Sequence, residues 1–188
     1  MGSLRHHQGQ INDLLELIDY IEGNNLILVE IGSFKGESME IFANSGKFSK
    51  IYCIDPWKNG YDDDDTSSNV VQFVESFFDK RKEKYPFVEK IKMTSLEAAD
   101  AFQDTSIDIV YIDGDHRPEM VKKDIHKWFG KVKPNGYISG HDWYYRDGLI
   151  QKTIIETIGH PDHICEHVMY GGNGDGSWIK NKNNIKMI

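Results

Sequence analysis

One stretch of the sequence constrains the fold more than any other: an apolar run that leads into a glycine-containing turn. In order, its residues are Leu26-Ile27-Leu28-Val29-Glu30-Ile31-Gly32-Ser33-Phe34-Lys35-Gly36-Glu37-Ser38. This order predicts a buried strand, a tight turn and the start of a helix. Glycine lets the backbone approach a neighbour closely, and a helix N-terminus offers free N–H groups. The turn is therefore a candidate ligand site.

A second strand ends in an acidic residue at an informative distance from the turn. The strand predicted over 50–55 ends at Asp55, and Pro56 stops it. An acidic residue about 20 residues beyond such a turn can bind the ribose of a nucleoside. A dinucleotide-binding turn would need glycine where the bulky Phe34 stands, so a pyrophosphate would be crowded. The first half of the chain is therefore predicted to hold a nucleoside-containing cofactor without a pyrophosphate.

Strand and helix patterns alternate along the rest of the chain. The predicted helices cover 10–22, 36–45, a segment beginning near Val70, 96–102, 118–129 and 145–158. The predicted strands cover 26–31, 50–55, 91–93, 107–112, 137–139, 163–169 and 177–180, with a turn at 134–136 and a glycine-rich connection at 171–176. This order predicts an α/β fold: a doubly wound, mostly parallel seven-stranded sheet with a C-terminal antiparallel hairpin. We expect one domain over residues 1–188.

Charge and composition narrow the classes of partner. The chain has 22 basic and 30 acidic residues and a formal net charge of -8, which argues against nucleic acid as the main partner. Four consecutive aspartates, residues 62–65, repel one another and predict a poorly ordered loop in the absence of substrate. We expect the partner to be a small molecule, and a homodimer partner is one way to complete its pocket.

Cysteine usage and apolar runs indicate the compartment. The two cysteines, Cys53 and Cys165, fall in apolar strand-like runs, which is typical of a reduced protein. The N-terminal segment lacks the apolar core of a signal peptide, and no apolar run approaches membrane-spanning length. A cytoplasmic location and no membrane partner are expected.

Charged and polar side chains also follow the two central strands of the second half. Asp113, Asp115 and His116 follow the apolar run 107–112, and His141 and Asp142 follow the next strand. Because parallel strands in such sheets end at one edge, where ligands bind, these side chains are expected to lie close together. Carboxylates together with an imidazole suit a divalent cation such as Mg²⁺, Mn²⁺ or Fe²⁺.

The glycine turn, in the form Glu-x-Gly-x-x-x-Gly-x-Ser, resembles the first motif of class I S-adenosylmethionine-dependent methyltransferases. It is most similar to the catechol and caffeoyl-CoA O-methyltransferase branch. The resemblance spans roughly residues 26–180 and implies S-adenosylmethionine as the methyl donor. The cofactor-binding residues that it implies are Glu30, Gly32, Ser33, Phe34, Gly36, Ser38, Asp55, Pro56, Trp57, Ser95 and Asp113.

The same resemblance implies a metal-assisted reaction. In that branch, an Asp after the fourth strand and an Asp-Asn pair after the fifth hold a divalent metal that binds the acceptor oxygen. Asp113 matches the first position, whereas His141-Asp142 replaces the pair, as in a bacterial subgroup similar to macrocin-type O-methyltransferases. The implied ligands are Asp113, His141 and Asp142, with magnesium or manganese as the metal. The implied general base is Asp115 or, as the second choice, His116.

Two alternatives to an O-methyltransferase remain open on the sequence. One is a metal-dependent hydroxylase on the same scaffold, and the other is a protein that binds the cofactor without turnover. A further pattern, His163, Cys165 and His167, alternates along one predicted strand and suggests zinc. Because no fourth partner lies nearby in the sequence, we interpret these three residues as an ordinary sheet face.

Overall fold

The computed structural model describes residues 2–58, 71–165 and 176–187. Its helices are α1 Gly2–Tyr20, α2 Glu37–Asn44, α3 Val71–Lys82, α4 Ser95–Ala99, α5 Pro118–Phe129 and α6 Leu149–Ile158. Its strands are β1 Leu26–Ile31, β2 Phe48–Ile54, β3 Val88–Ile91, β4 Ile107–Ile112, β5 Val132–Gly140, β6 His163–Cys165 and β7 Ser177–Asn181. Short 3₁₀ turns cover Arg146–Gly148 and Lys182–Asn184.

The seven strands form one sheet in the order β3-β2-β1-β4-β5-β7-β6. Strands β1 to β5 pair in parallel, whereas β7 lies antiparallel to both β5 and β6. The predicted fold class, including the C-terminal antiparallel hairpin, is confirmed. Because β1 and β4 are neighbours in the centre, the turns that follow them lie side by side.

Apolar cores cover both faces of the sheet. On one face, Leu28 packs in a cluster with Leu17 of α1 and Phe42 of α2. On the other face, the neighbouring Val29 packs in a cluster with residues of α4, α5 and α6. Successive side chains of a strand point to opposite faces, so a central strand between two helical layers is apolar on both faces. This explains the apolar runs of β1 and β4, which only Glu30 and Asp108 interrupt.

Several boundaries differ from the predictions, and three of the differences are informative. Helix α1 begins at Gly2 rather than near residue 10, because the apolar spacing that predicted the helix starts only at Ile11. Strand β3 ends at Ile91, and Met93, which was predicted to lie in it, is 49% exposed. The turn predicted over 134–136 lies within β5, where the pairing with β4 shifts register and Asn135 has a φ of 65°. A bulge of this kind lets a strand continue past a proline, which has no N–H to donate.

Some predictions concern residues outside the described ranges. The tetra-aspartate loop 62–65, the end of the strand predicted over 163–169 and most of the connection 171–176 are among them. What the sequence predicts for those segments, a poorly ordered loop, a strand end and a glycine-rich connection, stays a prediction. Within the described ranges, none of the helices has both the length and the apolar character that crossing a membrane requires.

Candidate functional site

The carboxyl ends of β1, β2, β4 and β5 meet at one edge of the sheet, as predicted. Two hydrogen bonds hold the turn after β1 between its neighbours: Gly32 N donates to Ile54 O at 2.8 Å, and Asp113 N donates to Ile31 O at 2.9 Å. A third bond, from His141 N to Ile112 O at 3.0 Å, aligns the end of β5 with that of β4. The candidate residues therefore share one rim.

Gly32 is required by the sheet itself rather than by a ligand. Its φ is +87°, and a Cβ atom placed on it would lie 1.9 Å from the carbonyl oxygen of Asp113. A side chain is thus excluded by the neighbouring strand end as well as by the left-handed backbone. The close approach of β4 is thus sufficient to require glycine here, and the prediction that Gly32 also contacts a ligand stays a prediction. Gly36, with a φ of +79°, precedes α2 as its N-cap.

Glu30 lies at the end of β1 beneath the glycine turn and is fully buried. The Ser33 hydroxyl donates to Glu30 Oε2 at 2.5 Å, while Oε1 lacks a hydrogen-bond partner among the described residues. Burial raises the pKa of Glu30 to about 7, against the opposing effect of hydrogen bonds from neighbours that include Ser33. An unpaired buried carboxylate oxygen is costly, so it is a position where a bound donor group would be stabilising.

This carboxyl group predicts a pH-dependent stability. A carboxyl whose pKa rises from 4.5 to about 7 on folding stabilises the folded state at low pH, and this contribution is lost as the pH rises toward 7. We expect Glu30→Gln to be more stable than the wild type at pH 8, by up to about 3 kcal/mol, and similar to it at pH 4.5. Denaturant unfolding of both proteins at several pH values measures this difference. Parallel curves for the two proteins would contradict a raised pKa.

Asp55 organises the turn that follows β1. Its Oδ2 accepts a hydrogen bond from Phe34 N at 2.9 Å, and its Oδ1 accepts one from Trp57 N at 2.7 Å. Burial raises the pKa of Asp55, and these two backbone bonds oppose the shift. Each carboxylate oxygen has a second lone pair, so the group keeps capacity for ribose hydroxyls. Both Phe34 and Trp57 have positive φ, so the carboxylate holds two unusual backbone positions.

Two of the predicted cofactor contacts, Trp57 and Ser95, are buried by packing against other side chains. Trp57 is 5% exposed, and its ring packs against Phe78 at a centroid distance of 4.8 Å, with Lys90 Nζ 4.8 Å from the ring centre. It belongs to the core rather than to an open binding surface. Ser95 is also buried, and its hydroxyl accepts a hydrogen bond from Trp128 Nε1 at 2.8 Å. The cap of α4 is Thr94, which forms a capping box with Glu97.

A cavity of about 630 Å³ lies between α1, the glycine turn, α2 and the ends of β4 and β5. A volume of this size suits a small molecule. The predicted site residues in its lining are Gly32, Ser33, Phe34, Ser38, Asp113 and His141. Its apolar wall comes from Ile11 and Leu14 of α1 and Ile41 of α2. Asp55 and Pro56 do not belong to this lining, so the predicted cofactor residues divide between the cavity and the adjoining end of β2.

Two carboxylates and two imidazoles converge at the ends of β4 and β5. The Nε2 atom of His116 is 2.9 Å from Asp142 Oδ2 and 3.9 Å from Asp113 Oδ1. The Nδ1 atom of His141 is 3.4 Å from Asp142 Oδ1 and 3.7 Å from Asp113 Oδ1. We call these four residues the strand-end cluster. It contains all three predicted metal ligands, together with the histidine that was predicted as a base.

The two carboxylates of the strand-end cluster favour a positive charge beside them. Burial alone would lower the pKa of His116, but hydrogen bonds and charges from Asp113 and Asp142 outweigh it and raise this pKa to about 12. Burial likewise raises the pKa of Asp142, yet its bonds to His116 and His141 hold it well below the usual range. The proton on His116 therefore compensates the carboxylates. Asp113, His116 and Asp142 each offer a ligand atom, and these three atoms lie within 4.8 Å of one another.

Asp115 is engaged by its neighbour Arg117. Arg117 Nε lies 2.9 Å from Asp115 Oδ1 and 3.1 Å from Oδ2, and the guanidinium Nη2 also bonds Oδ2. The backbone N–H of Arg117 donates to Oδ1 as well, at 3.0 Å. The carboxylate is buried, and both its oxygens are used in this ion pair. A fork of this kind is a charge-assisted ion pair that occupies both oxygens of the carboxylate.

The comparisons with known proteins agree with this geometry. A protein of Acanthamoeba polyphaga mimivirus, the uncharacterized protein R132, is 28% identical over 146 residues, which cover 77% of this chain and 63% of that protein. An rRNA methylase structure from Streptococcus thermophilus has a TM-score of 0.61 at 11% identity and covers 90% of this chain and 92% of its own. A spermidine synthase structure from Thermotoga maritima has a TM-score of 0.64 at 11% identity, and the match covers 96% of this chain and 62% of the synthase chain.

Structures at such low identity show a shared fold and not a shared reaction, as their different names illustrate. The family comparison is more specific. The profile of a methyltransferase domain family matches residues 29–143, which is more than half of the chain. That range begins in β1 and ends directly after the strand-end cluster, so it contains the glycine turn, Asp55 and all four cluster residues. The chain spans less than two thirds of the length of the curated relatives it matches. By its match to the profile, the chain belongs to this methyltransferase domain family.

Proposed function

We propose that this protein is an S-adenosylmethionine-dependent O-methyltransferase that acts on a small hydroxylated acceptor with the help of a divalent cation. The observation that carries the proposal is the strand-end cluster, in which two carboxylates and two imidazoles meet beside the cavity. Two cluster residues, Asp113 and His141, also line that cavity. The acceptor hydroxyl and the donor methyl group can therefore meet at the same rim.

The donor would lie along the ends of β1 and β2. Gly32 and Ser38 in the cavity lining are suited to its amino-acid end, because small and polar groups there leave room for charged substituents. Asp55, beside the cavity, is suited to the ribose hydroxyls, because its carboxylate oxygens keep lone pairs beyond the two backbone bonds. Glu30 is buried beneath the turn and does not belong to the cavity lining, so its predicted contact with the donor stays a prediction. A fixed donor position supplies much of the rate of an in-line transfer.

The donor atoms of the strand-end cluster fit a divalent cation. Asp113, His116 and Asp142 would hold it, since their ligand atoms lie within 4.8 Å of one another. A cation bound there would make the acceptor hydroxyl more acidic and stabilise the resulting oxyanion. His116 must lose its proton before it can act as a ligand. The charge that this proton supplies to the two carboxylates would then come from the cation.

The remaining imidazole of the cluster, that of His141, is our candidate for the general base that takes the proton from the acceptor hydroxyl. His141 lines the cavity, whereas His116 does not, and Asp142 lies 3.4 Å from its Nδ1 atom. Asp115, the base favoured from the sequence, is paired with Arg117. The proposal thus exchanges the sequence-based roles of the two histidines: His116 becomes a ligand and His141 the base.

Both cysteines are free and buried, which supports the expected reducing, cytoplasmic location.

Donor binding tests the proposal before any acceptor is known. We expect S-adenosylhomocysteine to bind the wild type, and Asp55→Asn to weaken this binding at least about tenfold, since a charged hydrogen bond contributes about 1.5–3 kcal/mol. Isothermal titration calorimetry measures both affinities. Asp104→Asn is the matched control, because Asp104 precedes β4 at the opposite edge of the sheet and pairs only with Lys131 among the contacts described.

Two results would count against the donor assignment. Equal affinity of the wild type and Asp55→Asn, with both proteins folded by circular dichroism, would remove Asp55 from the ribose site. Binding of NADH without any binding of S-adenosylhomocysteine would overturn the donor itself.

A further inference from the structure

A second group of metal-binding side chains lies where α1 packs against the edge strand β6, outside the strand-end cluster. His163 Nε2 and Glu16 Oε1 are 2.7 Å apart, although 147 positions separate them in the sequence. The Cys165 thiol lies on the same strand and is fully buried. One ligand atom from each of these three residues lies within 4.8 Å of the other two.

Regular geometry of both elements produces this arrangement. His163 and Cys165 are two residues apart on β6, so their side chains lie on one face of the strand. Asp13 and Glu16 are three residues apart on α1, so they share one face of the helix. The helix and the strand are in contact. The nitrogen of His163 and the sulfur of Cys165 on β6 thus face the carboxylates of Asp13 and Glu16 on α1.

The surroundings of these residues are rigid and acidic. The ring of Tyr20 stacks on His163 at a centroid distance of 4.9 Å with an interplanar angle of 5°, which fixes the orientation of the imidazole. Asp13 is 3% exposed. Burial raises the pKa of the Cys165 thiol to about 12, and the charges of Glu16 and Asp13 add to the shift, so both carboxylates lie close enough to act on the sulfur.

We propose that Glu16, His163 and Cys165 form a binding site for a thiophilic divalent cation of the Zn²⁺ class that fastens α1 to the sheet edge. Zinc accepts sulfur, nitrogen and oxygen ligands together, most often four in a tetrahedron. Water would take the fourth position. On binding, the Cys165 S–H bond breaks, its proton goes to solvent, and the thiolate sulfur donates an electron pair to the cation. The proton that His163 shares with Glu16 moves from Nε2 to Nδ1 of the ring, which frees the Nε2 lone pair for the cation.

From the sequence, His163, Cys165 and His167 were interpreted as an ordinary sheet face, and His167 lies outside the described residues. The alternating His163 and Cys165 were visible, but the partner that completes the group comes from the first helix. The site also differs chemically from the strand-end cluster, which offers oxygen and nitrogen but no sulfur. A spectroscopic signal that requires a thiolate ligand therefore reports on this site alone, whichever cation the strand-end cluster takes.

The test is titration of the metal-free full-length protein with Co²⁺, followed by near-ultraviolet absorption. We expect a thiolate-to-cobalt charge-transfer band in the wild type that one equivalent of Zn²⁺ removes. Cys165→Ser should abolish the band, whereas Cys53→Ser, the matched control at the other buried cysteine, should keep it. His163→Gln keeps the thiol and should weaken Co²⁺ binding at least about tenfold. This variant decides the matter if Cys165→Ser does not fold.

The proposal fails if the wild type shows no charge-transfer band at saturating Co²⁺. It fails equally if the band persists in Cys165→Ser or disappears in folded Cys53→Ser. Unchanged Co²⁺ affinity in His163→Gln, measured from the same band, would also overturn it. Each of these results is independent of donor binding at Asp55, so this inference and the proposed function stand or fall separately.

Discussion

Replacing Gly32 with alanine is expected to lower the free energy of unfolding by at least about 3 kcal/mol. A left-handed backbone costs an alanine about 1–2 kcal/mol by itself. The larger effect comes from the 1.9 Å distance between the new Cβ and the carbonyl oxygen of Asp113. Relief of that clash requires the ends of β1 and β4 to separate, which breaks the hydrogen bond from Asp113 N to Ile31 O. Denaturant-induced unfolding measures the loss.

Gly46→Ala is the matched control for Gly32→Ala. Gly46 also has a positive φ, +73°, but a Cβ placed on it would meet nothing within 4 Å. This variant should lose only the backbone contribution of about 1–2 kcal/mol. The difference between the two variants isolates the close approach of the strand ends. Equal destabilisation by the two substitutions would show that this approach is not what requires glycine at position 32.

Asp113→Asn is expected to reduce methyl transfer at least about 100-fold, because it removes one of the two negative charges that would hold the cation. Asparagine has nearly the same shape as aspartate, so the fold should survive the change. We expect Mn²⁺ affinity to fall at least about tenfold in the same variant. Electron paramagnetic resonance of free Mn²⁺ measures affinity, and product formation measures turnover once an acceptor is found.

Asp147→Asn provides the comparison for Asp113→Asn. Asp147 is an exposed aspartate five positions beyond Asp142, and the substitution removes the same charge without touching the strand-end cluster. It should leave both metal affinity and turnover within about twofold of the wild type, as expected for a screened surface charge. Unchanged Mn²⁺ affinity in Asp113→Asn would remove this carboxylate from the cation site.

Local patterns in the sequence predicted the regular elements well. Helix α5 begins at Pro118 and ends at Phe129 as predicted, because a proline in the first turn and apolar residues at helical spacing both mark it. Strand β4 also has its predicted bounds, since its apolar run reflects burial on both faces. The capping box of Thr94 and Glu97 at the start of α4 also has a local sequence pattern, T-x-x-E.

Properties that depend on contacts between distant residues could not be predicted. The reason for glycine at position 32 is the carbonyl group of Asp113, 81 positions away in the chain. The core position of Trp57 depends on Phe78 and Lys90. The pairing of Asp115 with Arg117 is local, yet the sequence does not show whether Arg117 turns toward that carboxylate or toward solvent. Residue types at strand ends therefore located the rim, while tertiary packing decided what each residue does there.

The measurement that tests the central claim most directly follows an isotopically labelled methyl group from S-adenosylmethionine into a panel of catechol, phenol and sugar acceptors. For a metal-assisted O-methyltransferase we expect label on an acceptor hydroxyl oxygen, loss of transfer on chelation and recovery when Mg²⁺ or Mn²⁺ is restored. Transfer that continues undiminished both after chelation and in Asp113→Asn would contradict it, as would label found only on nitrogen or carbon of the acceptor.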